Sequence, residues 1–391
     1  MNFFVRFVSR CIRRVALSPA AHTGIIYWII TGLGCCAWAM AAAQIPAAAL
    51  QQPKPPFAYA VEEVRFRNAT AQIRLAGTFT RPRPDGRYPA VITITGSGPQ
   101  DRNESRPHHK PFWVIADYLS NHGIAVLRFD DRGVGGSTGK YDKADIFDFA
   151  TDVQAAIQYL RSRPDVDTTA IGLLGHSEGA EVAQIVAASY PGVAFVISAS
   201  GPGLKGADIS LSQQGVLAGM MEMDSASATR EIRSNAAFFD ILVKERNKDT
   251  MLAKAAAFLS AKYQSLQPEE RGHESEAKYV RSLLKVQTKP EALSVLRFDP
   301  QLYLPHIHCP FLAISGSKDL QLDASANLKA IAEGLATGGN RNVTIKAFEG
   351  LNHLLQECNT CKPEEYITLP QTIAPPVLAL LANWIQEVVN H

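Results

Sequence analysis

Five consecutive residues, Gly175-His176-Ser177-Glu178-Gly179, have the spacing G-x-S-x-G. The apolar run Ile171-Gly-Leu-Leu174 just before them reads as a buried strand, and residues 178–189 just after them as a helix. A strand that turns sharply into a helix strains its pivot residue, and glycines two positions to either side leave the backbone room to close the bend. The pivot hydroxyl then stands at the carboxyl edge of a sheet, where the helix start aims backbone N–H groups at developing negative charge. Without its flanks the pattern is an ordinary turn; with them, Ser177 is the candidate nucleophile.

A serine hydroxyl attacks a carbonyl only when a base takes its proton, so a histidine oriented by a carboxylate has to lie elsewhere in the chain. Among ten histidines, His353 follows an apolar strand pattern ending at Phe348 and precedes the last helical stretch, which returns its loop to the same sheet edge. His122, His273 and His391 read as solvated side chains. His306 and His308 beside Cys309 suggest a metal cluster, but no fourth ligand has ligand-like spacing. The acid is expected at the end of the preceding strand, where Ile314-Ser-Gly-Ser-Lys-Asp319 supplies Asp319, with Asp323 and Asp208 as alternatives.

Attack on a carbonyl builds an oxyanion that needs two fixed N–H donors. The residue after the nucleophile, Glu178, supplies one. The second is expected from Thr95-Gly96-Ser97-Gly98-Pro99, after the strand 90–95, with Ser97 first and Gly98 next. This loop completes neither phosphate-binding glycine pattern, and Asp130-Asp-Arg-Gly-Val-Gly-Gly-Ser137 reads as a structural loop, because Thr138 stands where a dinucleotide fingerprint needs its third glycine.

The elements needed to place these residues can be read along the chain. Runs 61–67 and 73–80 alternate like the strands of a hairpin. From residue 88 strand-like runs alternate with helix-period segments, the pattern of a mostly parallel sheet covered by helices on both faces. The alternation stops at about 204–300, where the pattern is helical, and resumes with a strand at 311–315, a helix at 324–335, a strand at 342–348 and a last helix at 376–389. Residues 57–391 are therefore expected to form one α/β domain with a helical insertion, preceded by a Pro- and Ala-rich linker at 44–56.

In their joint order, Gly96-Ser-Gly-Pro99-Gln-Asp-Arg102, Arg128-Phe-Asp-Asp-Arg-Gly-Val-Gly135, Gly175-His-Ser-Glu-Gly179, Gly316-Ser-Lys-Asp319 and Leu351-Asn-His353 resemble the α/β-hydrolase superfamily over residues 60–390. Within it the likeness is to bacterial exported esterase/lipase-like and serine aminopeptidase-like members. The resemblance implies an eight-stranded, mostly parallel sheet, a Ser177/Asp319/His353 triad, a helical cap inserted after the sixth strand, and no metal or organic cofactor. The chain departs from many relatives by carrying Thr95 in place of a histidine before the oxyanion glycine, and by Cys358-x-x-Cys361 after the histidine loop. Carboxylic esters are the expected substrates and short peptides the runner-up, for which the acidic Glu222 and Asp224 of the insertion could attract an ammonium group. A catalytically silent fold that binds a ligand would lack a triad member, and none is missing; a dehalogenase would need a carboxylate at Ser177.

The charge balance excludes other classes. The chain has 391 residues, with 39 basic and 37 acidic; the four arginines among the first 43 residues account for the excess and leave 35 basic residues elsewhere. A near-neutral remainder gives nucleic acid no basic footprint. Residues 1–43 read as a secretory signal: Arg6, Arg10, Arg13 and Arg14, an apolar stretch from Gly24 to Met40, and the small residues Ala41, Ala42 and Ala43. The alternative is a membrane anchor formed by residues 23–43, in which case the protein contacts a membrane. Twin-arginine and lipoprotein signals fit poorly around Arg13-Arg14 and Cys35. Export would leave Cys309, Cys358 and Cys361, and Cys358-Asn-Thr-Cys361 could be a local disulfide, a redox pair or half a metal site. Cleavage is expected near Ala43, and the intact mass of the exported protein checks it, retention of Met1 being the contrary result.

Overall fold

Strands covered on both faces read as unbroken apolar runs, and the centre of this sheet is built from such runs. The computed structural model describes residues 50–83 and 86–390, so the expected signal segment lies outside the described residues. Its sheet has eight strands: β1 (Ala60–Asn68), β2 (Ile73–Arg81), β3 (Tyr88–Ile94), β4 (Ala125–Phe129), β5 (Val166–His176), β6 (Val196–Ala199), β7 (Phe311–Gly316) and β8 (Val343–Phe348). Their order is β1-β2-β4-β3-β5-β6-β7-β8. The β1–β2 hairpin is antiparallel, β2 meets β4 antiparallel, and every pair from β4 to β8 is parallel. The chain winds from β3 to β4 on one side and then crosses back from β4 to β5 on the other side of β3, which makes the carboxyl ends of β3 and β5 the topological switch point of the sheet.

Alternation along the strands divides the core. Val91, Val126, Leu174, Ile197, Leu312 and Ile314 share one apolar cluster with Phe112, Ile115 and Leu119 of α1 (Pro111–Asn121) and with Leu378, Leu381 and Trp384 of the C-terminal helix (Pro375–Val389). Intervening residues such as Phe129 point to the opposite face. There Phe129 meets Phe66 edge-on, and Phe66 stacks on Tyr159 of α2 (Ile146–Arg161), a helix opened by a capping box between Asp145 and Asp148. Helices therefore cover both faces, and α3 (Glu178–Ser189) packs beside α2.

Residues Gly206–Phe298 form a separate compact unit of helices only. They are α4 (Gly206–Met220), α5 (Ser225–Lys244), α6 (Lys248–Ser265), α7 (Pro268–Arg271), α8 (Glu276–Gln287) and α9 (Pro290–Arg297). This unit has its own core, centred on Phe238, Phe239, Leu242, Leu259 and Leu283. Asp224 caps α5, so this residue of the expected ammonium-attracting pair works as a helix cap. Beyond the insertion the chain continues through β7, α10 (Ala324–Thr337), β8 and α11 (Pro375–Val389). The described part of the linker is tied down at Gln51, whose side chain accepts the Thr372 and Ile373 amides.

The loop after β4 is structural, as its failed dinucleotide pattern suggested. Asp130 grips Arg102 through both carboxylate oxygens and accepts the Gly136 amide. Asp131, half-buried, meets the Thr95 hydroxyl at 2.7 Å and the Gln100 amide at 2.8 Å. Burial, helped by the nearby Asp152 and Glu104 carboxylates, pushes its pKa up to about 8, against the pull of those two hydrogen bonds. The folded state thus holds a proton that the unfolded chain gives up near pH 4, and stability falls as pH rises from there through about 8, by roughly 1.4 kcal/mol per pH unit at most. Asparagine keeps both contacts without a titrating group. Thermal melts should show Asp131→Asn gaining on the wild type between about pH 5 and about pH 8; parallel melting curves across that range would contradict this assignment.

Candidate active site

Ser177 is the hinge between β5 and α3, with φ 53° and ψ −121°, a conformation that a residue bearing a Cβ adopts only when its surroundings impose it. Two close approaches impose it here. A Cβ on Gly175 would lie 2.2 Å from the Gly179 carbonyl oxygen, and a Cβ on Gly179 would lie 2.2 Å from that of Ile94. The first contact closes the bend; the second sets the start of α3 against the end of β3, beside the loop carrying Ser97 and Gly98. The Ser177 amide is spent on the Ala199 carbonyl of the neighbouring strand. Glu178 supplies the first amide of α3, on the side where a helix presents its positive end.

The loops after β7 and β8 meet each other. Gly316 ends β7, and a Cβ there would strike the carbonyls of Leu351 and Asn352 at 2.2 and 2.5 Å. The Lys318 amide reaches the Leu351 carbonyl, and the Gly350 amide reaches the Ser317 hydroxyl. This brings His353 onto Asp319: Nδ1 lies 2.7 Å from Oδ2, with both side chains buried. The other Asp319 oxygen accepts the Gln321 and Leu322 amides, so the carboxylate cannot rotate away. Asn352 closes the histidine loop on itself, accepting the Leu354 and Gln356 amides. Of the alternative acids, Asp323 caps α10 and Asp208 sits in the first turn of α4.

The expected oxyanion loop leaves the carboxyl end of β3, beside β5. Ser97 is exposed and Gly98 has φ 84°. Asp131 holds the base of this loop through Thr95 and Gln100, and the Gln100 side chain donates to the Ser97 carbonyl. The threonine that departs from the usual histidine therefore has a partner of its own.

One feature of the site was missed in the sequence. His176, the residue before Ser177, is buried with Nδ1 2.8 Å from Glu104 Oε1 and Nε2 3.2 Å from the His353 carbonyl. Burial opposes charge on both side chains. Their mutual attraction outweighs it, holding the Glu104 carboxyl below its ordinary range and the His176 imidazolium above its own. Seventy-two residues separate the pair, and no motif spacing links them. Cys358 and Cys361, left open between three roles, form a disulfide just beyond the histidine loop.

Comparison with known proteins agrees with this architecture. The chain is 28% identical over 290 residues to esterase EstD of Thermotoga maritima, an alignment covering 72% of this chain and 58% of EstD. The chain thus spans under two thirds of that relative. Among solved structures it resembles the Pyrococcus furiosus esterase Pf2001 (TM-score 0.50, 16% identity, 86% of this chain and 96% of that one). It also resembles the α/β hydrolase GrgF from Penicillium sp. sh18 (TM-score 0.52, 19% identity, 85% and 99%). These structural likenesses establish the α/β-hydrolase fold. The model of the serine aminopeptidase S33 family matches residues 108–358, from the turn before α1 to the disulfide and so across the elbow and both loops that join Asp319 to His353, and the chain belongs to that family of hydrolases.

Proposed function

We propose that the protein hydrolyses carboxylic esters, with Ser177 as nucleophile, His353 as general base and acid, and Asp319 as the residue that orients the base. The observation that carries this reading is the buried 2.7 Å bond from His353 to Asp319, on the sheet edge where Ser177 stands in its left-handed turn. The bond commits Nδ1 to the carboxylate and leaves Nε2 as the nitrogen that takes a proton. The relationship to EstD favours esters over other acyl substrates.

In this mechanism Ser177 Oγ attacks the ester carbonyl as its proton passes to His353 Nε2. Asp319 stabilises the imidazolium. The tetrahedral oxyanion is met by the Glu178 amide and by an amide of the Ser97-Gly98 loop. Collapse of the intermediate expels the alcohol, which takes the proton from His353 and leaves an acyl group on Ser177. Water, deprotonated by the same nitrogen, then releases the acid and restores the serine. The Cys358–Cys361 disulfide supports an oxidising compartment, consistent with export directed by residues 1–43.

Hydrolysis of short- and long-chain p-nitrophenyl esters tests the proposal. Ser177→Ala should lower kcat by at least about 10⁴-fold and Asp319→Asn by about 10⁴-fold. An unchanged rate in a folded Ser177→Ala chain would contradict it. Faster cleavage of aminoacyl p-nitroanilides than of any ester would move the substrate to short peptides while keeping the same residues.

A further inference from the structure

The proposed mechanism uses Ser177, Asp319, His353 and amides near Ser97, and gives the Glu104–His176 pair nothing to do. The pair is buried, with Glu104 at 1% and His176 at 7% exposure. A buried ion pair is a poor source of stability, because desolvation consumes most of the attraction and well-packed apolar side chains commonly do as well. Its contacts point to another role. Glu104 Oε1 packs against Gly96, the residue before Ser97: a Cβ on that glycine would lie 3.0 Å from it. His176 precedes Ser177 and holds the carbonyl of His353 itself, with the two imidazole rings 5.0 Å apart between centroids. One pair therefore joins the oxyanion loop, the elbow and the histidine loop, three segments far apart in the chain.

The surroundings hold Glu104 in place. It has φ 53°, strained for a residue with a Cβ, and the loop around it is pinned throughout. The Glu104 amide bonds the Asp101 carbonyl, Asp101 accepts the Asn103 and Ser105 amides, and Arg102 is locked on Asp130. Both nitrogens of His176 face atoms that only accept, a carboxylate and a carbonyl oxygen, so the hydrogen-bond pattern calls for two ring protons. The titratable and charged groups around the pair are Arg106, 3.6 Å from Glu104, the His353–Asp319 couple beyond the carbonyl, and Asp131, which keeps its proton, behind the oxyanion loop.

We propose that Glu104 and His176 are positioning residues, a buried ion pair that fixes the oxyanion loop, the elbow and the base in one mutual register. The proposal rests on the ester-hydrolase reading of the same site. Neither residue touches substrate in this account. They act on kcat because small misplacements of reacting groups are costly: about 1 Å can cost about 10²-fold.

The test uses the full chain and p-nitrophenyl butyrate, with Ser177→Ala as the reference for the underlying reading. If wild-type hydrolysis survives in Ser177→Ala, that reading fails whatever the pair does. If Ser177→Ala is inactive, folded Glu104→Leu and His176→Asn should lose about 10²-fold in kcat with KM within about twofold of wild type. Glu104→Gln, whose side-chain amide can still hydrogen-bond His176 Nδ1, should recover kcat to within about tenfold. A purely structural pair would lower the melting temperature and leave kcat of the folded enzyme within about twofold, and that result overturns the proposal. Where Glu104→Leu and His176→Asn do not fold, Glu104→Gln and nitrogen-15 NMR of the wild-type histidines decide. Two protonated ring nitrogens on His176 at neutral pH are expected; a single ring proton overturns the proposal.

Discussion

The left-handed turn at Ser177 is the constraint on which the rest of the site depends. A pivot with positive φ can be kept only if the strand before it and the helix after it come close enough to leave no alternative path. That closeness needs hydrogen in place of a side chain at Gly175 and Gly179, and it wedges α3 against the last carbonyls of β3. The turn also divides two adjacent side chains. Ser177 remains half-exposed at the edge, while His176 ends the strand facing inward and is buried. A buried histidine at that place then requires acceptors, and Glu104 and the His353 carbonyl supply them.

The carboxyl edge is held by charge as well as by packing. Asp319 with His353, Glu104 with His176, Asp130 with Arg102 and Asp152 with Arg132 are all paired, and at least one partner in each pair is almost fully buried. Such pairs return little net stability, yet each fixes direction: a carboxylate held by two or three donors has one orientation left. The sheet beneath supplies the stability through apolar burial, at roughly 1.5–3 kcal/mol for each fully buried large side chain. Division of labour follows from this, with an apolar core that carries the fold and polar loops that carry the geometry.

Much of this was legible in the sequence for identifiable reasons. The alternation of strand and helix patterns, the break over the insertion and the elbow all arise from local rules of spacing, and they match the eight strands, the separate helical unit at Gly206–Phe298 and the turn at Ser177. Asp319 and His353 could be read because strand ends are local signals, and chain order then paired them. Strand bounds were less exact: β5 runs from Val166 to His176, beyond the apolar stretch that marked it, because Asp167 to Thr169 extend the strand without apolar character. The Glu104–His176 pair was not legible. Its members fall in separate motifs, and their contact depends on how β3 and β5 lie side by side, which no local pattern encodes.

The central claim, a proposal, is that the elbow presents Ser177 as an activated hydroxyl. Reaction of the folded protein with a fluorophosphonate, followed by peptide mass spectrometry, tests it most directly. The account predicts one phosphonyl group per chain, on the peptide containing Ser177, with none on Ser97. A folded chain that takes up no probe, or takes it up at another residue, would contradict it.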